Sequence, residues 1–153
     1  MADTNAKKVY ADLCAALDRR NWKYNRQDEK LAVTFGVSGD DIPMDFSFSV
    51  DEKRKLLRVF SRLPFNVPED HRMDLALATC AVNYKLADGS FDYDLATGRI
   101  GFRLTASFRE SSIGDGLFDY LIACSCRTVD DYNEKFLRVG NGTVSLEDFL
   151  QSL

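Results

Sequence analysis

Leu31-Ala32-Val33-Thr34-Phe35-Gly36-Val37-Ser38 and, after the Gly39-Asp40-Asp41 turn, Met44-Asp45-Phe46-Ser47-Phe48-Ser49-Val50 decide the fold of this chain. Apolar residues alternate in both with small or polar ones, the period at which successive side chains of a strand point to opposite faces of a sheet. Leu31, Val33, Phe35 and Val37 fall on one face, as do Met44, Phe46, Phe48 and Val50, while Ala32, Thr34, Gly36, Ser38, Asp45, Ser47 and Ser49 take the other. One face is to be covered and the other wet, which is how an antiparallel sheet reads. The same period continues from Lys55 to Arg62, and it returns from Phe91 to Phe108 after a helical interval. The fold class is therefore α+β, an antiparallel sheet with helices packed on one face.

Outward from that block, Val9, Leu13 and Leu17, with Tyr10 and Cys14 beside them, predict a first helix from Thr4 to Arg20. Trp22 and Tyr24 alternate with Lys23 and Asn25 as a short first strand, and Gln27 to Lys30 form a polar turn. Pro43 opens the third strand, where its missing N–H is tolerated. Leu63 to Asp70 read as a crossover loop and helix start, with Pro68 in the first turn. The second helix then runs to about Leu86 with two apolar rows. One is Met73, Leu77, Cys80, Ala81 and Tyr84; the other is Leu75, Ala78, Val82 and Leu86. A helix apolar over so wide an arc faces two surfaces, here the sheet and a second copy of the chain.

After the Ala87-Asp88-Gly89 stop, Phe91, Tyr93 and Leu95 lead into a hairpin turn at Ala96-Thr97-Gly98. The return strand places Ile100, Phe102, Leu104, Ala106 and Phe108 inward and Arg99, Gly101, Arg103, Thr105 and Ser107 outward. A long helix from about Gly114 carries the stripe Leu117, Phe118, Leu121, Ile122, Ser125, Val129, Tyr132 and Phe136. Ser145, with Asp148 three residues on, caps a short last helix whose Leu146, Phe149, Leu150 and Leu153 must dock somewhere, either as an appendage or as a regulatory plug. The map is one domain over residues 1–139 and an appended short helix over 140–153.

A chain of 153 residues suits a single domain burying roughly 70% of its unfolded surface. Its net charge of −4 argues against a nucleic-acid partner, which a basic patch would announce. No signal-peptide core stands at Met1 to Lys8 and no apolar run reaches membrane-span length. The expectation is a cytoplasmic protein with no membrane contact, whose four cysteines are thiols rather than disulfides. Cys14 and Cys80 read as small core hydrophobes, and Cys124 and Cys126 point about 200° apart around their helix, too far to share an ion.

No catalytic, metal-binding or cofactor-binding residue can be named. His71 is the one histidine, set in a first helical turn among Glu69, Asp70 and Arg72 and read as a surface side chain. Asn141 to Asp148 resemble half of a calcium loop, but Leu137 and Val139 stand where its first ligands belong. The 24 carboxylates gather in turns. The polar sheet face is more informative: small residues such as Ser47 stand there with Arg58, Arg62, Arg99 and Arg103, close backbone approach beside bidentate donors.

Pro64-Phe65-Asn66-Val67-Pro68-Glu69-Asp70, Asn83, Gly89-Ser90-Phe91 and Gly98-Arg99-Ile100-Gly101-Phe102-Arg103 resemble motifs of the YbjN family, described as bacterial sensory transduction regulators. The resemblance spans about Tyr10 to Phe136. It implies a fold similar to type III secretion chaperones, an α-βββ-α-ββ-α arrangement that commonly dimerises through its middle helix, and it carries no catalytic residues. Together these readings predict a non-enzymatic protein-interaction module, chaperone-like or regulatory, that binds a protein segment as a homodimer. Arg58, Arg99, Arg103 and Ser47, or an edge strand, are the expected partner-binding residues, and Leu75, Val82 and Leu86 the expected dimer interface. The alternative is a small-molecule sensor or enzyme with a pocket between sheet and helices.

Overall fold

The period-two stretches pair as antiparallel neighbours in the register their hydrophobic faces require. Phe35 stands opposite Phe46, Phe48 opposite Val59, Val59 opposite Leu104 and Phe91 opposite Phe102. A slip of one residue would turn each of these side chains into water. The computed structural model describes residues 4–153, so the start of the N-terminus read above for a signal peptide lies outside the described residues.

In chain order the elements are α1 (Thr4–Arg19), β1 (Asn25–Gln27), β2 (Ala32–Val37), β3 (Met44–Asp51), β4 (Leu56–Asn66), α2 (Arg72–Lys85), β5 (Ser90–Asp94), β6 (Arg99–Ser107), α3 (Asp115–Gly140) and α4 (Leu146–Ser152). The strands form one six-stranded sheet in the order β1-β2-β3-β4-β6-β5. Helix α1 lies against β3, α3 crosses β4 and β6, and α2 packs beside β5 and α3. All three cover the inner face. There Phe48, Phe102, Phe108, Phe118 and Phe136 are fully enclosed, each burial contributing about 1.5–3 kcal/mol.

Four local readings change. Trp22 and Tyr24 are not in a strand; β1 begins at Asn25. Their rings tie α1 to the sheet instead: Trp22 meets Phe35 edge-on at 4.9 Å, and the Tyr24 hydroxyl donates to Asp18 at 2.8 Å. Leu31 ends a turn with φ of 49°, a left-handed conformation that cannot continue a strand. The segment Leu63 to Asn66 is the end of β4 rather than a loop, its register shifting between Arg62 and Asn66; Pro64 is accommodated because such an irregularity demands no ladder donor there. Cys80 is exposed rather than in the core, while Cys14 is buried as expected.

The correction with functional weight concerns α2. Leu75 and Val82 have no exposed surface and Leu86 packs partly buried against the same core. Side chains already enclosed by their own chain have nothing to offer a second copy, so the dimer interface assigned to this row does not stand. The row that faces outward is Met73, 59% exposed, Leu77, 49%, and Tyr84, 91%, with Cys80 on the same side.

Candidate functional site

The outer face of the sheet carries no helix, and the cross-strand register fixes its chemistry row by row. Thr34, Ser47 and Phe60 stand in line across β2, β3 and β4, and the row continues through Arg103 to Ser90. The adjacent row is Ala32, Ser49, Arg58 and Thr105. The expected partner-binding residues Ser47, Arg58 and Arg103 are therefore neighbours on one surface. Arg99 lies on the same face of β6, opposite Asn66 and Asp94.

At the centre of this polar surface sits Phe60, 40% exposed, a residue the sequence reading did not single out. Its ring lies over Gly101: a β-carbon there would stand 2.7 Å from the ring. The signal was available in parity, since Phe60 alternates in phase with Arg58 and Arg62 and so had to face outward with them. Phe60 forms the shared wall of two open grooves. One, of about 390 Å³, runs over Thr34, Gly36, Asp45, Ser47 and Arg62; the other, of about 430 Å³, over Asp92, Asp94, Arg99 and Gly101. A further hollow of about 320 Å³ is lined by Arg54, Arg58 and Arg103, of which Arg54 is paired with Asp51 and Arg103 with Asp92.

Arg103 forks onto Asp92, with Nε donating at 2.7 Å and Nη2 at 3.1 Å, and this hydrogen bonding holds the guanidinium firmly charged. Both side chains are close to half exposed, so the pair adds at most about 1 kcal/mol to stability. Stability alone is a weak reason for an arginine at this position.

The sheet edges differ in availability. The Asn83 side chain clamps the outer edge of β5, its Nδ2 donating to the Phe91 carbonyl at 2.9 Å and its Oδ1 accepting from the Phe91 N–H at 2.8 Å. A strand adding to β5 would have to break both bonds. At the other edge, β1 offers only three residues. The open face is the broader surface.

The remaining candidates for chemistry disperse. Among the described residues no three His, Cys, Asp or Glu side chains gather as a metal site. The calcium-like stretch is a tight turn in which Asn141 Oδ1 accepts from the Thr143 N–H at 3.0 Å. The imidazole of His71 packs on the backbone of Gly142. Burial pushes the Cys126 thiol up to about 11, opposite to what a reactive cysteine needs. Among the described residues no helix is long and apolar enough to cross a membrane.

A family profile described as "YbjN: Putative bacterial sensory transduction regulator" matches residues 10–138. The chain belongs to the YbjN family. Among curated proteins none matches it. Three solved structures share the fold. A chain of the HopA1-SchA chaperone-effector complex aligns with a TM-score of 0.59 at 14% identity, covering 88% of this chain and 99% of that one. One from the ExsC-ExsE complex gives 0.58 at 16%, covering 86% and 95%. YbjN from E. coli, described as a putative transcription regulator, gives 0.61 at 12%, covering 82% and 92%. The fold is thus that of YbjN and of chains in the HopA1-SchA and ExsC-ExsE complexes.

Several of the residues that carry the YbjN resemblance hold the elements of this chain together, while Arg99 and Arg103 of the same motifs stand on the open face. Gly98, with φ of 71°, lets the hairpin turn press against Val67, whose carbonyl would stand 2.3 Å from any β-carbon there. Val67 donates its N–H to the Gly98 carbonyl at 2.9 Å. Arg72 then bonds the Val67 and Ala96 carbonyls at 3.0 and 2.7 Å, fastening the start of α2 to the hairpin. Asn83 clamps β5, Gly89 leaves room for the Phe102 ring and Gly101 for the Phe60 ring. Of these, only the Gly101–Phe60 contact reaches the open face.

Proposed function

We propose that this YbjN-family chain is a non-enzymatic, cytoplasmic protein-binding module with a chaperone-like or regulatory role, in which the open sheet face holds a segment of a partner protein. The observation that carries the reading is Phe60: a large apolar side chain at the centre of a polar face, flanked by arginines and bordered by a groove on each side. An aromatic anchor inside a polar rim is the arrangement that concentrates binding energy at protein interfaces. The segment it suits has an apolar side chain to stack on Phe60 and carboxylates to meet Arg58, Arg99 and Arg103, with Ser47 allowing close approach. Two of the structures sharing the fold are complexes, HopA1-SchA, described as chaperone-effector, and ExsC-ExsE, which supports a protein ligand over a small molecule. The layer between sheet and helices, where a sensor or enzyme pocket would lie, is filled by phenylalanines.

The same reading makes the protein a homodimer joined through the outward row of α2, Met73, Leu77 and Tyr84, in place of the enclosed Leu75 and Val82 and the partly buried Leu86. Three large apolar side chains in one line on one helix form a patch that a second copy would cover with its own.

Affinity capture from the native host tests the partner surface, comparing wild type with Phe60→Asp and with Arg58→Glu/Arg103→Glu. The proposal expects a stoichiometric protein held by wild type and lost from both variants while their melting temperatures stay close to wild type. Retention of that protein by both variants, or recovery of a bound metabolite in place of a protein, overturns it.

A further inference from the structure

Arg58, Phe60 and Arg62 hold alternate positions of β4 and are exposed on the open face. The ring thus stands midway between two guanidinium-bearing positions about 13 Å apart. The arginines around it differ in how far their charge is already met. Arg103 is paired with Asp92 and Arg54 with Asp51, and Arg99 faces Asp94 across the ladder. Among the described residues Arg58 has no hydrogen-bonding or ionic partner, and Arg62 has one neutral partner, its Nη2 donating to Asn66 Oδ1 at 3.1 Å. The two uncompensated guanidinium groups of the face are therefore the two that flank Phe60 along its own strand.

Acidic side chains stand beside this line rather than on it. Asp45 of β3 borders one groove next to Phe60, and Asp92 and Asp94 of β5 border the other. The ladder between β3 and β4 ends at the Ser47–Phe60 pair; two residues further it would have set Asp45 opposite Arg62. Instead the strands part, and both side chains line a hollow of about 520 Å³ with Pro64, Phe65 and Asn66. Each arm of this fork is tied elsewhere. Asp40 N–H donates to Asp130 at 2.9 Å and Asn133 to the Ile42 carbonyl at 3.3 Å, holding the approach to β3 on α3. The Val67 N–H, bonded to the Gly98 carbonyl at 2.9 Å, holds the end of β4 on the hairpin. Arg62 lines this hollow and both grooves beside Phe60.

We propose, on the reading that the open face holds a partner protein, that the segment seated there is an extended one lying along β4 with acidic, apolar and acidic side chains at i, i+2 and i+4, and that Arg62 is the residue that selects its second acid. An extended chain advances per residue as β4 does, so these three side chains come over Arg58, Phe60 and Arg62 together. Charge complementarity sets the direction: an acidic segment crossing the strands would run over Asp45 on one side and Asp92 and Asp94 on the other. Asp45, sharing the Arg62 hollow, opposes the second acid and holds the affinity down.

The test follows fluorescence anisotropy of two fluorescein-labelled peptides of equal composition titrated with the full chain, Gly-Ser-Asp-Thr-Trp-Thr-Asp-Ser-Gly and its isomer Gly-Ser-Asp-Asp-Trp-Thr-Thr-Ser-Gly. Wild type should bind the spaced peptide about threefold to fivefold more tightly than the isomer, the scale of one ion pair at a wet surface. Arg62→Gln should abolish that preference, and Asp45→Asn should tighten binding of the spaced peptide by a similar factor. Phe60→Asp should lose both peptides. Equal affinity of wild type for the two peptides, a preference that survives Arg62→Gln, or no binding of either peptide to wild type overturns the proposal. If the peptides are bound equally by wild type and lost from Phe60→Asp, the open face stands as the partner surface and only the spacing is refuted; binding that survives Phe60→Asp counts against both.

Discussion

The ring of Phe60 rests on the backbone of Gly101, 2.7 Å from the point where a β-carbon would begin. A glycine on β6 thus sets the position of an aromatic side chain on β4, and that side chain divides the open face into two grooves. Gly101→Val should force the ring off the sheet and cost about 1–3 kcal/mol as an overpacking change. Phe60→Ala, at a half-exposed site, should cost under about 1 kcal/mol. Urea unfolding of both, read beside partner capture, separates the contributions: each variant should lose the partner, but only Gly101→Val should lose substantial stability.

The two sides of α2 should answer differently to substitution. Leu75→Ala removes a fully enclosed side chain and should cost about 2–5 kcal/mol. Leu77→Asp lies on the outward row and should leave the melting temperature nearly unchanged while converting a dimer to a monomer. Light scattering and thermal melts on the two proteins check this; a Leu77→Asp protein that remains a dimer would exclude the outward row.

Asn83 satisfies the outer edge of β5 at Phe91 with two hydrogen bonds. Asn83→Ala leaves that N–H and C=O without their partner at a partly buried position and should cost about 1–3 kcal/mol. The local signature is faster hydrogen exchange at the Phe91 amide, with the amides of β3 unchanged relative to global stability.

Stability should fall at both ends of the pH scale. Asp28 is held below the ordinary carboxylate value of 3.8 by the Tyr10 hydroxyl and Arg26, Asp51 by the Arg54 N–H and guanidinium, Asp94 by the Thr97 hydroxyl and Ala96 N–H, and Asp119 by Arg20. Groups with a depressed folded pKa stabilise fully above their unfolded value, and that contribution disappears as pH falls through the folded values. At the alkaline end, burial raises Tyr10 and Tyr24 above the ordinary 10.0. The unfolded phenols ionise first, so stability declines as pH rises past 10. A melting temperature level between pH 5 and 9 and dropping below about 4 and above about 10 is the expected profile, measured by calorimetry.

The sheet was legible in the sequence because parity is a strict constraint. Once Val33, Phe35, Phe46 and Phe48 are placed inside, the outward position of Ser47, Arg58 and Arg103 follows, and so did the open face. The orientation of α2 was not legible, because Met73, Leu77 and Tyr84 are as apolar as Leu75, Ala78 and Val82. Which row is enclosed depends on where α3 and α4 lie, and that is a tertiary fact. Trp22 and Tyr24 alternate like a strand, yet they serve as packing between α1 and the sheet. Pro64 looked like the end of β4 because a proline halts a regular ladder, whereas this one sits at a register shift. Phe60 is readable by parity alone, since it alternates in phase with Arg58 and Arg62.

The most direct test is a photoreactive phenylalanine analogue placed at position 60 in the native host, with illumination and mass spectrometry of the adducts. The account predicts a cross-link from position 60 to a different protein, at a stoichiometry that Arg58→Glu/Arg103→Glu reduces. Cross-links to another copy of this chain, or none at all, would contradict the assignment of the open face as the partner-binding surface.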